Sequence, residues 1–464
     1  MNKYLGLILV GGMLAFGVGC DSSSSNGGSA GSGGSGGTAN PCQDAGGSGI
    51  VEITDEEITV DTVFEAACTY ILTRETYVMG AEITIEPGTE FQGDKRSALI
   101  ITTTGRIEAA GTEADPIVFT SSALAEEAKP GDWGGMVLLG LAKLSWGDTG
   151  CDGELGECVG SIEGISPDNP RGKFGGNDDS HDCGTLQYVR IEYAGAVFGD
   201  NNELNGLTVG GCGSDTTLDH IQVHRGLDDG VEFFGGTAPI SYVIVTGTGD
   251  DGIDWDQGYR GSVDYFIVHH FASTTSSPNG IEADNYGDGE DRNVQPRSAP
   301  DVVNGTVIGD GRPEGSGIVT RVGTWAGIDG VAVVGFGGAG YDMRDGAWSV
   351  TGGWPDGIVV ENSCFDANGE NYPDDDNDPK DATAPAMAAD FFDEPTLLAD
   401  EARNNFEADP GIGDVSAACT GEGTPNYALT NDNCAGAFGG PGGTDWTTGW
   451  TSFPTGIFDT GTCP

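Results

Sequence analysis

The chain has 464 residues, and its 19 Lys and Arg residues against 73 Asp and Glu residues give a formal charge of -54. This excess of negative charge argues against nucleic acid as a partner and against electrostatic attraction to anionic lipid, and it makes divalent cations the natural counter-ions. The 81 glycines are far above ordinary usage, as expected for a fold that turns sharply at many points.

The N-terminus predicts an exported, lipid-anchored protein. Lys3 precedes an apolar run over residues 4–18, and small residues precede Cys20, which resembles a bacterial lipoprotein signal cleaved before that cysteine. Gly17 stands where such signals usually carry Leu, so an ordinary secretory signal is the alternative. A membrane-spanning helix is disfavoured because the run is short and broken by glycines. Residues 1–20 are therefore assigned as a signal peptide, with Cys20 as the lipidated residue.

Residues 21–40 are nearly all Ser, Gly and Ala, a composition that buries too little apolar surface to order. We interpret them as a disordered tether between the membrane and the folded part. We expect a monomer in the bacterial cell envelope, at the outer membrane. Asp21 follows the lipidated cysteine. In some bacteria an aspartate at this position retains a lipoprotein at the inner membrane, so the choice of membrane and of membrane face stays open.

Ten cysteines remain after Cys20 is set aside. An even number in an exported chain predicts five disulfides. The sequence contains no close Cys-x-x-Cys pair, so a metal-thiolate site is disfavoured. The sequence does not determine the pairing, and proximity favours Cys151 with Cys158, Cys183 with Cys212, and Cys434 with Cys463.

Three regions follow the tether. Residues 41–80 mix strand-like segments with two cysteines and are predicted to cap one open end, because a solenoid needs such a cover. Residues 81–365 carry the periodic pattern described next. Residues 366–464 lose it and are predicted to form an irregular, disulfide-pinned cap over the other open end.

One segment of the periodic region occurs twice, at 228–236 and again at 250–258. Four shorter copies begin at Gly206, Gly280, Gly317 and Gly340. Within each copy apolar residues alternate with polar ones, which is the period of a half-buried strand. Further apolar segments lie between the copies. Several short strands in each repeat of about 22 to 28 residues predict an all-β chain that coils into a right-handed, single-stranded parallel β-helix.

Residues at the same place in successive copies are then expected to lie one above another, about 4.8 Å apart, with their outward side chains in columns. One predicted column runs Thr208, Glu232, Asp254, Glu282, Val319 and Asp342. The next runs Gly210, Phe234, Asp256, Asp284, Arg321 and Arg344. Two carboxylates at this spacing repel by roughly 3.5 kcal/mol at an effective dielectric near 20, so such a water-facing wall needs a cation, an arginine or a proton.

The leading interpretation of the wall is a calcium site. Calcium takes oxygen ligands about 2.3 to 2.6 Å away, so carboxylates on adjacent coils can share one ion. The alternative is a set of hydrated acids without an ion. The predicted ligands are Asp228, Asp229, Asp250, Asp251, Asp256 and Asp284, with Glu232, Asp254 and Glu282 beside them.

The second interpretation is catalysis on acidic glycans. Carboxyl groups one coil apart are spaced like the pair in retaining glycosidases, about 5 to 5.5 Å, so Glu232, Asp254 and Glu282 are candidate acids and bases. Arg321 would act beside calcium in a lyase, or with Arg344 hold an acidic sugar. The aromatic candidates for stacking on sugar rings are Phe234, Tyr259 and Tyr286.

Five motifs stand out in the first two thirds of the chain, at 85–89, 111–120, 131–135, 175–179 and 249–258. With these motifs the chain resembles a group of secreted or lipid-anchored bacterial right-handed β-helix proteins over roughly residues 75–350. This resemblance implies a pectate-lyase-like fold but brings no established activity. No catalytic motif of the lyases or polygalacturonases in the broader fold class maps onto the chain, so no catalytic residue is transferred.

Two segments interrupt the repeats, at 141–183 and 285–300. Long excursions from a regular scaffold often border a binding site, although they are equally often decoration. Together these features predict a cell-envelope lipoprotein whose acidic face binds calcium, with a binding or adhesion role that extends to polysaccharide. A polysaccharide lyase or glycoside hydrolase that uses the same columns is the alternative.

Overall fold

The computed structural model describes residues 38–148, 150–199, 202–271, 278–285, 292–344, 357–371 and 405–456. These residues are nearly all β or irregular, and their strands pair in parallel from one coil to the next. The predicted all-β parallel β-helix is confirmed. Its described strands form two large sheets that wrap around one hydrophobic core.

The strands are numbered in chain order. The 10-stranded sheet contains β2 (Glu57–Ile58), β5 (Glu75–Val78), β8 (Ala98–Ile101), β11 (Met136–Leu139), β17 (Leu207–Gly210), β19 (Val231–Phe234), β21 (Ile253–Asp256), β23 (Ile281–Ala283), β25 (Ile318–Thr320) and β28 (Tyr341–Met343). The 17-stranded sheet contains β1 (Gly49–Ile53), β3 (Thr62–Phe64), β4 (Cys68–Leu72), β6 (Glu82–Ile85), β7 (Glu90–Gly93), β9 (Arg106–Ala110), β10 (Ile117–Ser121), β14 (Gly184–Glu192), β18 (Thr217–His224), β20 (Ile240–Thr246), β22 (Ser262–His269), β24 (Asp301–Ile308), β26 (Ala326–Asp329), β27 (Ala332–Val334), β29 (Ile358–Glu361), β30 (Cys364–Asp366) and β31 (Phe406–Glu407).

The remaining described elements are short. Two antiparallel pairs lie outside the large sheets: β12 (Gly160–Ser161) with β13 (Lys173–Phe174), and β15 (Val197–Gly199) with β16 (Asn202–Glu203). The helical segments are α1 (Pro41–Asp44), α2 (Ala417–Thr420) and two 3-10 turns, Pro170–Gly172 and Gly436–Phe438. No described helix has the length and hydrophobicity needed to cross a membrane.

The first coils begin earlier than residue 81. β1 already pairs with β4, and β3 pairs with β6. The region 41–80 therefore consists of α1 followed by strands that belong to the ladders. Its role as a cap stays a prediction. The strand-like segments were visible in the sequence, but their register with later coils was not.

The middle coils contain long strands because two faces of the coil join into one. Both β9 and β10 pair with β14, which continues the two of them. Each long strand bends at one residue with φ between 49° and 58°, in the left-handed region. These bend residues form a column of Tyr188, His220, Tyr242, Tyr265 and Asn304.

The central glycine of each copy lies where adjacent coils approach closely. A Cβ added to Gly252 would lie 2.3 Å from Val268 Cγ1 and 2.7 Å from the Gly280 carbonyl oxygen. Glycine is therefore required there for lack of space, which explains why the sequence repeats it. The alternation that follows is confirmed, since Ile253 and Trp255 are 1% and 0% exposed.

Most of the described part of the C-terminal region, residues 405–456, lies along the side of the coils, whereas its β31 pairs with β30. The predicted cap over the open end stays a prediction, because residues 372–404 lie outside the described residues. Tyr427 and Trp450 of the described part pack in one apolar cluster with Ile244 of β20 and Ile267 of β22. Tyr193 Oη donates a hydrogen bond of 2.8 Å to the carbonyl oxygen of Pro454. This segment therefore runs back along the outer face of the 17-stranded sheet.

Four disulfides have both partners in the described residues. The predicted pairs Cys151–Cys158 and Cys183–Cys212 are confirmed. The predicted pairing of Cys434 with Cys463 is wrong, because Cys434 bonds to Cys364 of β30 and fastens the C-terminal segment to the coils. The fourth disulfide joins Cys42 to Cys68.

Candidate functional site

The 10-stranded sheet brings the repeated acids into vertical register. Glu232 on β19 pairs with Asp254 on β21, and Asp254 pairs with Glu282 on β23. The spacing of one coil between these acids is the predicted one. The whole column runs Thr208, Glu232, Asp254, Glu282, Val319 and Asp342, as expected.

Seven acids of this face converge in three overlapping groups, each with carboxylate oxygens within 4.8 Å of one another. Asp229 belongs to the first two groups and Asp254 to the last two, so the groups form a continuous row. The groups are Asp228 with Asp229 and Asp250, then Asp229 with Glu232 and Asp254, then Asp251 with Asp254 and Glu282.

A second column, formed by the residue before each central glycine, links the coils through side-chain hydrogen bonds. Asp229 Oδ1 accepts from the N–H of Asp251 at 2.8 Å, and Asp251 Oδ1 accepts from the N–H of Asn279 at 2.5 Å. Asn279 Oδ1 accepts from the N–H of Ser316 at 3.1 Å, and Ser316 Oγ accepts from the N–H of Ala339 at 3.3 Å. We call this column the side-chain ladder. It fixes Asp229 and Asp251 to the backbone of the next coil.

The acids do not form a water-facing wall at the centre of the row. Glu232 is 7% exposed, Asp229 is 8% exposed and Asp251 is 4% exposed. The excursion at 141–183 covers this face, because its Phe174 packs with the outward residues of the 10-stranded sheet in one apolar cluster. The prediction of exposed carboxylates is therefore wrong here, since an excursion without periodicity gave no indication of where it would fold.

Two residues that the sequence interpretation missed complete the row. Asn205 is 1% exposed, and its Nδ2 donates to Glu232 Oε2 at 2.5 Å and to Glu163 Oε1 at 3.2 Å. Glu163 comes from the excursion. Asn205 precedes Gly206, so it occupies the same place in its copy as the ladder residues. Its place before the central glycine could have identified Asn205 from the sequence, whereas no sequence feature identified Glu163.

Burial raises the pKa of these carboxyl groups, and their negative neighbours raise it further. The pKa of Asp228 rises to about 8 through desolvation and the nearby charges of Glu163 and Asp250. The pKa of Glu282 rises to about 7 through desolvation, against the lowering effect of Arg321. The pKa is also raised, with desolvation as the main cause, for Asp229, Glu232, Asp251 and Asp254.

The two arginines of the predicted column that begins at Gly210 are held by acids. Arg321 donates from Nε and Nη2 to both oxygens of Asp284, at 2.9 and 2.7 Å, and it also contacts Glu282. Arg344 Nε donates to Asp342 Oδ2 at 2.5 Å. Asp284, 7% exposed, is thus an ion-pair partner of Arg321 and not a member of the three carboxylate groups.

The predicted aromatic sugar platform is wrong where the structure describes it. Tyr259 is 0% exposed, stacks on Phe233 at 4.3 Å between ring centroids, and donates to the carbonyl of Ala238. Phe234 points outward but is 7% exposed, because Phe174 of the excursion covers it, with 6.3 Å between the two ring centroids. The alternation ends at the turn after β21, which is why Tyr259 enters the core.

Of the other predicted site residues, Asp256 is described by the structure, and Tyr286 and Cys20 are not. Asp256 follows Phe234 in the column that begins at Gly210, and its Oδ1 accepts from the N–H of Gln257 at 2.6 Å. It is absent from the three carboxylate groups found among the described residues. Tyr286 and Cys20 lie outside the described residues, so the stacking and lipidation predictions remain predictions.

The pectate-lyase-like β-helix domain matches residues 56–451, which include all three carboxylate groups and every strand of the two large sheets except β1. The chain belongs to the pectate-lyase-like β-helix family. The crystal structure of a mutant of the periplasmic alginate epimerase AlgG is similar over 70% of this chain and 74% of its own, with 9% identity and a TM-score of 0.20. No curated protein matches this member of the family.

Proposed function

We propose that this protein is a lipid-anchored member of the bacterial cell envelope that binds calcium in its row of carboxylates and binds polysaccharide. The observation that carries the calcium assignment is the overlap of three groups of carboxylate oxygens, each within 4.8 Å. Two oxygens on opposite sides of one calcium ion are about 4.8 Å apart, because each lies about 2.4 Å from the ion.

The donor set fits a hard divalent cation. The three groups offer oxygen ligands alone, which is the preference of calcium. Asp254 Oδ1 and Asn205 Oδ1 are buried and have no hydrogen-bond partner among the described residues. Such atoms cost free energy unless a ligand satisfies them. A bound cation would do so and would offset the repulsion within the row.

The envelope location and the polysaccharide role are supported by separate observations. Four described disulfides are typical of an oxidising compartment outside the cytoplasm. The signal-like N-terminus with Cys20 supports export and lipid anchoring. Membership of a pectate-lyase-like family supports a polysaccharide as the ligand, although a fold alone does not define an activity.

One observation favours a second candidate, a polysaccharide lyase or glycoside hydrolase. Burial raises the pKa of Glu282 to about 7, which suits a general acid or base near neutral pH, and Arg321 lies against it. Asp254, one coil away, would be its partner. Glu232 is a poorer catalytic residue, because it is enclosed by Asn205 and beneath the excursion.

A pair of measurements tests both candidates. Calorimetric titration of the chelator-treated protein with calcium should give saturable binding that Asp254→Asn weakens. Incubation with acidic polysaccharides should release neither unsaturated uronates nor new reducing ends. Absence of calcium binding would contradict the first proposal, and product release that Glu282→Gln abolishes would establish the second.

A further inference from the structure

A cavity of about 520 Å³ opens beside the last coils of the 10-stranded sheet. It lies beyond the calcium groups, since Asp342 in its lining is two coils further along the column than Glu282. Its volume is within the range of small-molecule sites. The side chains that line it with polar groups are Glu314, Ser316, Asp342, Arg344 and Glu370.

A carboxylate and a guanidinium lie side by side in the lining. Asp342 is 5% exposed; its Oδ2 accepts from Arg344 Nε, whereas its Oδ1 is buried without a hydrogen-bond partner among the described residues. Arg344 Nη2 also donates to Ser316 Oγ at 3.3 Å, which fixes the guanidinium plane. The Arg344 side chain is 36% exposed, so it retains access to a ligand. An unsatisfied acceptor therefore lies next to an accessible donor.

The charge of the lining excludes some ligands. Glu314 and Glu370 are exposed at the rim, so with Asp342 three carboxylates accompany the single arginine among the cavity residues. A uronate would meet this negative field and a guanidinium already paired with Asp342, which disfavours it. Two neighbouring sugar hydroxyls suit the site better, because one donates to a carboxylate while the other accepts from a guanidinium.

We propose that this cavity binds a neutral sugar residue through two adjacent hydroxyl groups, one donating to Asp342 Oδ1 and the other accepting from Arg344. Glycines help to shape the site. Gly337 and Gly369 lie in its lining where a Cβ would lie 2.4 and 2.1 Å from backbone oxygens, so only glycine lets the chain pack this closely in the cavity wall. This assignment rests on the proposed polysaccharide role and specifies its ligand as neutral, in contrast to the acidic sugar first expected at Arg344.

The test uses the full chain and three sets of immobilised oligosaccharides: neutral xylo-, manno- and gluco-oligosaccharides, oligouronates, and chitosan oligomers as amino sugars. We expect binding to at least one neutral set and none to oligouronates. Asp342→Asn and Arg344→Lys should each weaken that binding about tenfold or more, the loss expected for a charge-assisted hydrogen bond. Glu361→Gln, at an exposed position on β29, should leave it unchanged.

Two further measurements keep the result decisive. Thermal unfolding of each variant shows whether it folds, and soluble neutral oligosaccharide should raise the Tm of the wild type but not of Arg344→Lys. The inference is overturned if no neutral oligosaccharide binds, if both variants bind normally, or if oligouronates bind and Asp342→Asn strengthens them. Calcium titration of Asp342→Asn separates the two proposals: retained calcium binding with lost sugar binding supports both, and neutral-sugar binding without calcium binding overturns the calcium assignment alone.

Discussion

Asp229 Oδ1 accepts a hydrogen bond of 2.8 Å from the backbone N–H of Asp251 on the next coil. One oxygen of Asp229 is therefore committed to holding the two coils together. Asp229 also belongs to the carboxylate groups that it shares with Asp228 and Glu232. A structural role and a ligand role are thus combined in one carboxyl group, and substitutions at Asp229 would disturb both. Asp254, which has no ladder bond, is the better probe of cation binding.

We predict that calcium raises the Tm of the chelator-treated protein and that Asp254→Asn reduces this rise. A ligand at about a hundred times its Kd adds about 2.7 kcal/mol to the free energy of unfolding, so the effect is measurable by scanning calorimetry. Asp264→Asn is a matched control, because Asp264 lies on β22 of the other sheet and accepts from Asn304 Nδ2 at 3.0 Å. An equal loss of the calcium effect in both variants would contradict the assigned site.

We predict that Glu282→Gln stabilises the calcium-free protein above neutral pH. The pKa of Glu282 rises to about 7 in the fold, above its ordinary value of 4.5, so the folded state binds more protons than the unfolded state between these values. The free energy of unfolding then falls as pH rises through this window, by up to about 1.4 kcal/mol per unit. Denaturant unfolding in the presence of chelator should give equal free energies of unfolding for the variant and the wild type near pH 4. Near pH 8 the free energy of unfolding should be larger for the variant. A constant difference across this range would show that the Glu282 charge is not responsible.

We predict that Phe174→Ala weakens both the fold and calcium binding. Phe174 is 1% exposed and packs over Phe234, so its removal should cost about 3 to 5 kcal/mol. Loosening the excursion should also displace Glu163 from the row. Leu155→Ala, at a 62% exposed position of the same excursion, is the control and should change neither denaturant unfolding nor calcium affinity. Calcium affinity equal to that of the wild type would show that the excursion does not support the site.

We predict that acidification releases the C-terminal segment. His269 Nδ1 lies 3.3 Å from Tyr427 Oη beneath that segment, and burial, aided by His270, lowers the pKa of His269 to about 3. Between pH 6.5 and 3 the unfolded or detached state binds the extra proton, so stability is lost as pH falls below 6.5, by up to about 1.4 kcal/mol per unit. Proteolysis and tryptophan fluorescence should detect release in saturating calcium, and His269→Gln should make the pH dependence shallower. An unchanged slope would contradict the role of His269.

Much of the fold was predictable because the repeat is dictated by local sterics. Gly252 admits no side chain, and the alternation after it sets which residues enter the core, so the register of Glu232, Asp254 and Glu282 followed from the sequence. The burial of these acids did not follow. It depends on an aperiodic excursion whose destination is decided by long-range packing of Phe174 against the sheet.

The misassigned residues have two physical causes, one local and one long-range. Tyr259 lies just after a strand, where a turn ends the alternation and sends the ring inward. The partner of Cys434 is distant in the sequence because the C-terminal segment folds back along the coils to reach Cys364. Proximity in sequence identifies close disulfides such as Cys151–Cys158, but it cannot identify a contact made by a returning chain.

The returning C-terminal segment also changes how the solenoid responds to stress. Coils that touch only their neighbours fray from either end, one at a time. Here the described part of this segment acts as a strap that spans the coils from Tyr193, which follows β14, to Cys364 of β30, where a disulfide fastens it. A coil between these two residues cannot open unless the strap detaches, so this part of the solenoid should unfold cooperatively. A pulling force applied along the solenoid axis would be shared among many coils.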